Sequence, residues 1–215
     1  MTPEDLVRSG TTWQAVPFVP EIRLLTAAEP FGLWHRTELD APPFWAFPWA
    51  GGQALARYVL DSPAVVAGRH VLDAASGSGL VAIAAAKAGA ASVTAGDVDR
   101  NAVTAIGINA AANGAAVTAR ALDLAADGAH TADVVLAADV FYQRELAELA
   151  LSFLRGAARS GADVLVADPG RAFFPAARPS PLPEAALTPL ASYEVPVLSV
   201  LEDTPVKKVT VYRLG

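Results

Sequence analysis

The chain has 215 residues, 53% of them hydrophobic, with 16 Lys+Arg against 22 Asp+Glu, a formal net charge of −6, and no cysteine. That length supports one domain with a sizeable core, and the missing cysteine excludes disulfides, thiolate-ligated zinc and a thiol nucleophile. The acidic balance without clustered Lys or Arg argues against a nucleic-acid partner. Three scattered histidines (His35, His70, His130) have no metal-ligand spacing. Residues 1–8 carry no basic leader with a long apolar core. The Ala-rich runs near 82–91 and 102–116 are too weakly apolar to span a membrane. The expectation is a soluble cytoplasmic protein without a metal.

A short helix is expected over 3–8, then an irregular segment to residue 20 containing Trp13, Pro17, Phe18 and Pro20. Residues 22–26 and 31–39 read as short strands with a turn at Glu29-Pro30. The stretch A-P-P-F-W-A-F-P-W-A-G-G-Q-A-L-A-R-Y-V-L-D (41–61) is dense in aromatics. It ends in a helix over 52–60 with Ala54, Leu55, Tyr58 and Val59 on one face. Phe44, Trp45, Phe47 and Trp49 fit a hydrophobic clamp between the N-terminal segment and the core. They equally fit one wall of a ligand pocket, with Trp49 and Gly51 at its edge.

After Asp61-Ser62-Pro63, strands and helices alternate: strand 70–74, helix 80–88, strand 92–96, helix 100–112 closed by Asn113-Gly114, strand 117–122, strand 133–137, helix 144–159 and strand 163–167. Short apolar strands separated by helices imply a parallel sheet buried on both faces. The runs 193–201 and 206–214, joined by a turn at 202–205, have no helix between them and read as an antiparallel hairpin closing the sheet.

Residues 70–99 read as strand, glycine turn, helix, strand, acid, a βαβ nucleotide-binding unit. Gly77 and Gly79 allow a tight turn and a close backbone approach to a ligand. Acids stand at the carboxyl ends of five strands: Asp73, Asp97, Asp123, Asp139 and Asp168. Any one of them alone is an ordinary helix cap or turn residue. Five on the rim where α/β ligands bind suit a ligand with hydroxyls, an amine and a positive centre. Residues 77–82 also fit G-x-G-x-x-A, with Asp97 at dinucleotide spacing, so an NAD(P)-dependent oxidoreductase is an alternative of another class. Asp73 ahead of the turn weighs against it, because it repels a pyrophosphate and attracts a cation.

V-L-D-A-A-S-G-S-G (71–79) with G-D-V-D (96–99) resembles motif I and the ribose acid of class I S-adenosylmethionine-dependent methyltransferases. The terminal hairpin resembles the end of their seven-stranded, mostly parallel sheet, a three-layer Rossmann-like α/β fold. F-W-A-F-P-W-A-G-G-Q-A-L-A-R-Y-V-L-D (44–61), A-D-V-F-Y (138–142) and A-D-P-G-R (167–171) narrow the resemblance. Together they look like the electron-transfer-flavoprotein β-subunit lysine methyltransferase family, whose bacterial relatives are labelled nicotinamide N-methylase-like. I-R-L-L-T (22–26) resembles that family's N-terminal strand, and the similarity covers about residues 20–171.

The resemblance implies one methyltransferase domain over 1–215, with 1–50 an N-terminal extension on a 51–215 core, and S-adenosyl-L-methionine as cofactor. It implies that Trp49 and Gly51 flank the cofactor and that Asp73, Ser76, Gly77 and Gly79 line its methionine and ribose side. Asp97 would take the ribose hydroxyls, Asp123 would sit by the adenine amine, and Ala138 would complete the cofactor site. Asp139 and Tyr142 would be catalytic and face the nucleophile. Asp168 and Arg171 would form the far side of the substrate mouth, Arg171 having an alternative role as ion-pair partner of Asp168 or Asp139. The implied reaction is methylation of protein lysine, with the electron transfer flavoprotein β subunit as leading candidate, or of a small amine or pyridine. A non-catalytic cofactor-binding protein is a further alternative. Residues 172–185 read as a lid or a loop, where Phe173 and Phe174 could cover the substrate.

Overall fold

The computed structural model of the protein describes residues 1–27, 32–33, 42–128, 131–176, 186–197 and 204–215. Helix α1 (Pro3–Gly10) begins at a capping box. The Thr2 hydroxyl accepts from the Asp5 N–H, and the Asp5 carboxylate accepts from the Thr2 N–H. Within the segment expected to be irregular lies β1 (Thr12–Val16); it pairs antiparallel with β2 (Val19–Thr26), whose 22–26 part is a strand as expected. Four of the five β1 residues are exposed, so the strand lacks the alternation that marks a half-buried one. Of the expected strand 31–39, only Gly32 and Leu33 are among the described residues, and they are helical.

A 3-10 turn (Phe44–Ala46) leads into α2 (Ala50–Asp61) and a second short turn (Pro63–Val65). The alternating part then runs β3 (His70–Ala74), α3 (Leu80–Lys87), β4 (Ser92–Asp97), α4 (Arg100–Ala112), β5 (Thr118–Ala121), β6 (Val134–Ala138), α5 (Arg144–Arg159), β7 (Asp163–Asp168), β8 (Leu187–Pro196) and β9 (Val206–Leu214). The large sheet has the order β5-β4-β3-β6-β7-β9-β8. Its first five strands are parallel, and β9 is antiparallel to both β7 and β8. The terminal hairpin is therefore as expected, but its first strand starts at Leu187, ahead of the expected 193, and residues 198–203 lie outside the described ones.

Successive strand residues point to opposite faces, so Val71 and Leu72 feed two different cores. On one face α2, α3, β2 and part of α4 cover the sheet. On the other, α5 packs through Ala147, Ala150, Leu151 and Leu154, with Phe141 and Phe174 beside it. From Leu80 to Ala85, α3 is buried all round, which its Ala-rich sequence permits, since small side chains let helices and sheet approach closely. None of the described helices is long and apolar enough to cross a membrane.

The β1–β2 pair is bound to α4 by side chains. Asn113 Oδ1 accepts from the Arg23 N–H at 3.0 Å, and Asn109 Oδ1 accepts from the Leu25 N–H at 2.9 Å. Two amides thus satisfy backbone donors on a strand edge that no other described strand reaches.

Candidate active site

The strand order reverses between β3 and β6, which places a crevice beyond their carboxyl ends. Past β3 the backbone turns through left-handed conformations at Ala75 (φ 52°), Gly77 (57°) and Gly79 (85°). Gly79 is the N-cap of α3, and a Cβ there would lie 3.3 Å from the Ile106 Cα of α4. A Cβ at Gly77 would meet nothing nearer than the Trp45 Cα at 3.8 Å, so its absence keeps the space between the turn and the 44–49 segment open.

Asp73, only 2% exposed, gives its Oδ2 to the Ser76 hydroxyl and to the Ala82 N–H (3.0 Å) in the first turn of α3. It thereby ties turn to helix. Burial pushes its carboxyl up to about 7, with the Ser76 and Ala82 hydrogen bonds opposing and the Asp97 charge adding. Asp97 ends β4. Its Oδ2 accepts from the Gly77 N–H at 2.9 Å and its Oδ1 from the Asp99 N–H at 3.0 Å, and burial raises its pKa as well. Fully buried Asn109 donates to the Ser78 carbonyl at 2.9 Å while holding Leu25, so it couples the N-terminal strand pair to the glycine turn.

The second cluster gathers at the ends of β6 and β7. Asp139, the first residue past β6, has a left-handed backbone (φ 55°), which Asp tolerates better than most residues. Its N–H bonds the Ala167 carbonyl at 3.2 Å, and its Oδ2 accepts from the Gly52 N–H at 2.9 Å. Gly52 lies in the first turn of α2, where the helix dipole favours an anion. A Cβ at Gly51 would lie 2.6 Å from the same Oδ2 and 2.8 Å from the Ala167 carbonyl, so the glycine at 51 is what lets α2 reach the acid.

Arg171 Nη2 is 3.4 Å from Asp139 Oδ1, and its guanidinium lies over the Trp49 ring, 5.9 Å from the centroid. The ion-pair alternative for Arg171 is thus the one seen, with Asp139. Asp168, 2% exposed, ends β7 and uses Oδ1 to accept the Gly170 and Arg171 N–H groups at 2.7 and 2.6 Å. Its Oδ2 is buried without a hydrogen-bond partner. Burial first, then the neighbouring Asp139 charge, pushes this carboxyl up to about 7 against the Arg171 and Gly170 interactions.

The aromatic stretch performs the clamping role considered for it. Trp45 and Phe47 are buried with Leu6, Val7, Leu25 and Leu33 and clamp the N-terminal segment to the core. Phe44 and Trp49 stay half-buried at the mouth. The Phe44 ring is 6.0 Å from Trp49 and 5.1 Å from Tyr142, and Trp49 Nε1 donates to the Phe44 carbonyl at 2.8 Å. Burial, and then the charge of Asp97, raise the Tyr142 phenol pKa.

Of the expected site residues, Trp49, Gly51, Asp139, Tyr142, Asp168 and Arg171 come together, with Ala138 at the end of β6. Asp73, Ser76, Gly77, Gly79 and Asp97 form the adjoining turn. Asp123 stands apart: it is exposed two residues past β5, its Oδ1 accepting the Ala125 N–H at 2.8 Å. Phe174 is no cover for substrate, being 2% exposed and packed between Phe141 (5.3 Å) and Tyr212 (5.1 Å). Phe173 lies under the Arg144 guanidinium, and residues 177–185 are outside the described ones.

Sequence reading missed Gly52, Asn109 and Gln53. Gln53, 1% exposed, accepts from the Phe18 N–H (3.1 Å) and donates to the Pro48 carbonyl (2.8 Å). The usable signal was the Gly-Gly pair opening a helix, which marks a close approach.

Two buried acids, Asp73 and Asp97, brace the glycine turn through Ser76, Ala82 and Gly77. The family model of ribosomal protein L11 methyltransferase (PrmA) matches residues 53–159. The electron transfer flavoprotein beta subunit lysine methyltransferase of Xenopus laevis is 38% identical over 181 residues, 80% of this chain and 72% of that protein. The one of Danio rerio is 43% identical over 163 residues, 72% of this chain and 62% of that protein. Among solved structures, magnesium protoporphyrin IX methyltransferase of Synechocystis with bound SAH superposes with a TM-score of 0.54 at 16% identity. That match covers 86% of this chain and 94% of the other and speaks to the fold.

Proposed function

The chain belongs to the electron transfer flavoprotein beta subunit lysine methyltransferase family, and from that premise we propose that it methylates a lysine side chain of a protein, with the beta subunit of electron transfer flavoprotein as leading candidate. It is an S-adenosylmethionine-dependent methyltransferase, which sets aside the oxidoreductase alternative. The observation that supports a lysine acceptor is the mouth itself. Two acids, Asp139 and Asp168, and the faces of Phe44, Trp49 and Tyr142 converge beside the glycine turn, and a cation already lies among them.

In this reading Ser76, Gly77 and Gly79 hold the cofactor by their backbone, with Asp73 fixing the turn beneath them. Asp97 takes the ribose hydroxyls, and Trp49 and Ala138 form the remaining wall. When bound, S-adenosylmethionine would supply a sulfonium-borne methyl group for an uncharged amine, with S-adenosylhomocysteine as the leaving group. The chain's task is then to orient the amine and remove its proton, and orientation supplies most of the rate. Asp139 anchors the incoming ammonium through Oδ1, and its Oδ2 bond to Gly52 fixes the direction. Asp168, whose carboxyl is pushed up to about 7, exchanges a proton readily near neutral pH. Tyr142 and Phe44 keep bulk water from the mouth.

The test incubates the purified protein with S-adenosylmethionine and the purified beta subunit and follows the subunit's intact mass. Successive methyl increments that disappear with Asp139→Ala are expected, while calorimetry shows S-adenosylhomocysteine still binding to that variant. Turnover left intact in Asp139→Ala overturns the role given to this residue.

A further inference from the structure

Resting on the reading that the glycine turn holds the cofactor, we propose that Asn109 is a positioning residue for it. Asn109 selects the one orientation of the Ser78–Gly79 peptide that the turn uses. Because strand β2 in turn holds Asn109, cofactor binding and the docking of residues 1–27 are linked.

The turn does not fix this peptide by itself. Turning it over changes the Ser78 ψ and reverses the sign of the Gly79 φ, now 85°, and glycine accepts either sign. Its neighbours are held independently: the Ser76 N–H by the Gly96 carbonyl at 3.0 Å, and the Gly77 N–H by Asp97 at 2.9 Å. The Ser78 carbonyl is held by Asn109 Nδ2 at 2.9 Å. A peptide unit is planar, so fixing its carbonyl also fixes the Gly79 N–H, which donates to the Ser76 carbonyl at 3.0 Å.

The Asn109 carboxamide is committed at both ends. It is fully buried on α4, one turn past Ile106, whose Cα lies 3.3 Å from where a Gly79 Cβ would be. With Nδ2 on Ser78, its Oδ1 takes the Leu25 N–H of β2 at 2.9 Å. Asn113, one turn further on, brackets Arg23: Oδ1 accepts its N–H at 3.0 Å and Nδ2 donates to its carbonyl at 2.6 Å. The far end of the same strand reaches the other side of the turn. The Ala27 N–H donates to the Ala46 carbonyl at 3.0 Å, and the adjacent Trp45 Cα lies 3.8 Å from where a Gly77 Cβ would be. The glycine turn is thus gripped between α4 and the 44–46 segment, and both are tied to β2.

When β2 undocks, Asn109 loses the partner that orients its amide, and the Ser78–Gly79 peptide regains its second orientation. A ligand that binds only the first orientation then meets a smaller competent population and shows a weaker apparent affinity. By reciprocity, the bound ligand holds β2 in place by the same factor.

The test uses the full chain and S-adenosylhomocysteine, and it needs no methyl acceptor. Asn113 bonds Arg23 and the Asn109 carbonyl but not the glycine turn, so Asn113→Ala loosens β2 at a distance. Calorimetry is expected to show at least about fivefold weaker binding in that variant. Leu154→Ala, a cavity in α5 on the opposite face of the sheet, controls for general instability and is expected to bind within about twofold of the wild-type protein. Hydrogen exchange followed by NMR gives the reciprocal readout. In the wild-type protein, saturating S-adenosylhomocysteine is expected to slow exchange of the Arg23 N–H at least about fivefold. In Asn109→Ala the bond from Arg23 to Asn113 remains, and the slowing is expected to be at least about halved.

Wild-type affinity in Asn113→Ala, an equal loss in Leu154→Ala, or Arg23 exchange that ignores the ligand overturns the proposal. Undiminished slowing in Asn109→Ala overturns the role given to Asn109. Wild-type affinity in Asp97→Ala overturns instead the reading that the glycine turn holds the cofactor, and the two failures are thereby told apart.

Discussion

Replacing Gly51 by Ala sets helix propensity against space. Gly51 lies in the first turn of α2, and Ala is favoured over Gly in a helix interior by about 1 kcal/mol. Against that gain, the new Cβ would sit 2.6 Å from Asp139 Oδ2, 2.8 Å from Asp139 Cγ and 2.8 Å from the Ala167 carbonyl. Neither neighbour yields easily: Ala167 is buried backbone of β7, and the carboxylate is held by the Gly52 N–H. Breaking that hydrogen bond to a charged group costs about 1.5–3 kcal/mol. Keeping it and straining the packing costs about 1–3 kcal/mol. With the propensity gain subtracted, the net loss is about 0–2 kcal/mol. For a chain of this size that lowers the melting temperature by up to roughly 8 °C.

The same clash moves Asp139, so turnover well below the melting temperature falls at least about tenfold, while S-adenosylhomocysteine affinity stays within about threefold. Scanning calorimetry, a methyl-transfer assay and a calorimetric titration read the three quantities. A Gly51→Ala protein that melts at or above the wild-type temperature with wild-type turnover refutes the argument that the glycine at 51 exists to seat Asp139.

Asp97→Ala removes the acceptor for the Gly77 and Asp99 N–H groups, and calorimetry should show S-adenosylhomocysteine affinity falling at least about tenfold. Asn109→Leu leaves the buried Leu25 N–H and Ser78 carbonyl unpaired, at about 1–3 kcal/mol each, and denaturant unfolding should show the loss. Asp73 and Asp168 have folded-state pKa values raised from 3.8 to about 7, so between those values the folded chain holds more protons than the unfolded one. Their contribution is complete below the unfolded value and is lost as pH rises through the window, with a slope of up to about 1.4 kcal/mol per pH unit for each group. Unfolding free energies measured from about pH 5 to 8 should fall with pH, and Asp73→Asn should flatten the fall; an unchanged slope in that variant contradicts the assignment.

The alternating part of the fold is legible because its signals are local. Helix α4 runs from Arg100 to Ala112 as its flanks suggest, with the Asp99 carboxylate accepting the Asn101 N–H at the start and Asn113-Gly114 at the end. The acids at the ends of β3, β4, β6 and β7 are legible for the same reason. The part of strand β8 ahead of residue 193 is not, because Pro189 lies inside it. An edge strand tolerates a proline, and the register shift between Pro189 and Ala191 absorbs it, yet the residue pattern reads as loop. Strand β1 hides because four of its five residues are exposed, and its partner's ties to Asn109 and Asn113 hide because amides in an Ala-rich helix read as surface residues. The direction of Asp73 was equally hidden. Its position before the turn was visible, but its use in binding Ser76 and Ala82 depends on where α3 begins.

The central claim is that this crevice hands a methyl group to a lysine. Its most direct test supplies the purified protein with S-adenosylmethionine tritiated in the methyl group and with a cell lysate, then hydrolyses the protein fraction and separates its amino acids. Tritium in N-methylated lysine is the predicted result, with the strongest labelled band running at the size of the flavoprotein beta subunit. Tritium confined to the small-molecule fraction contradicts the claim.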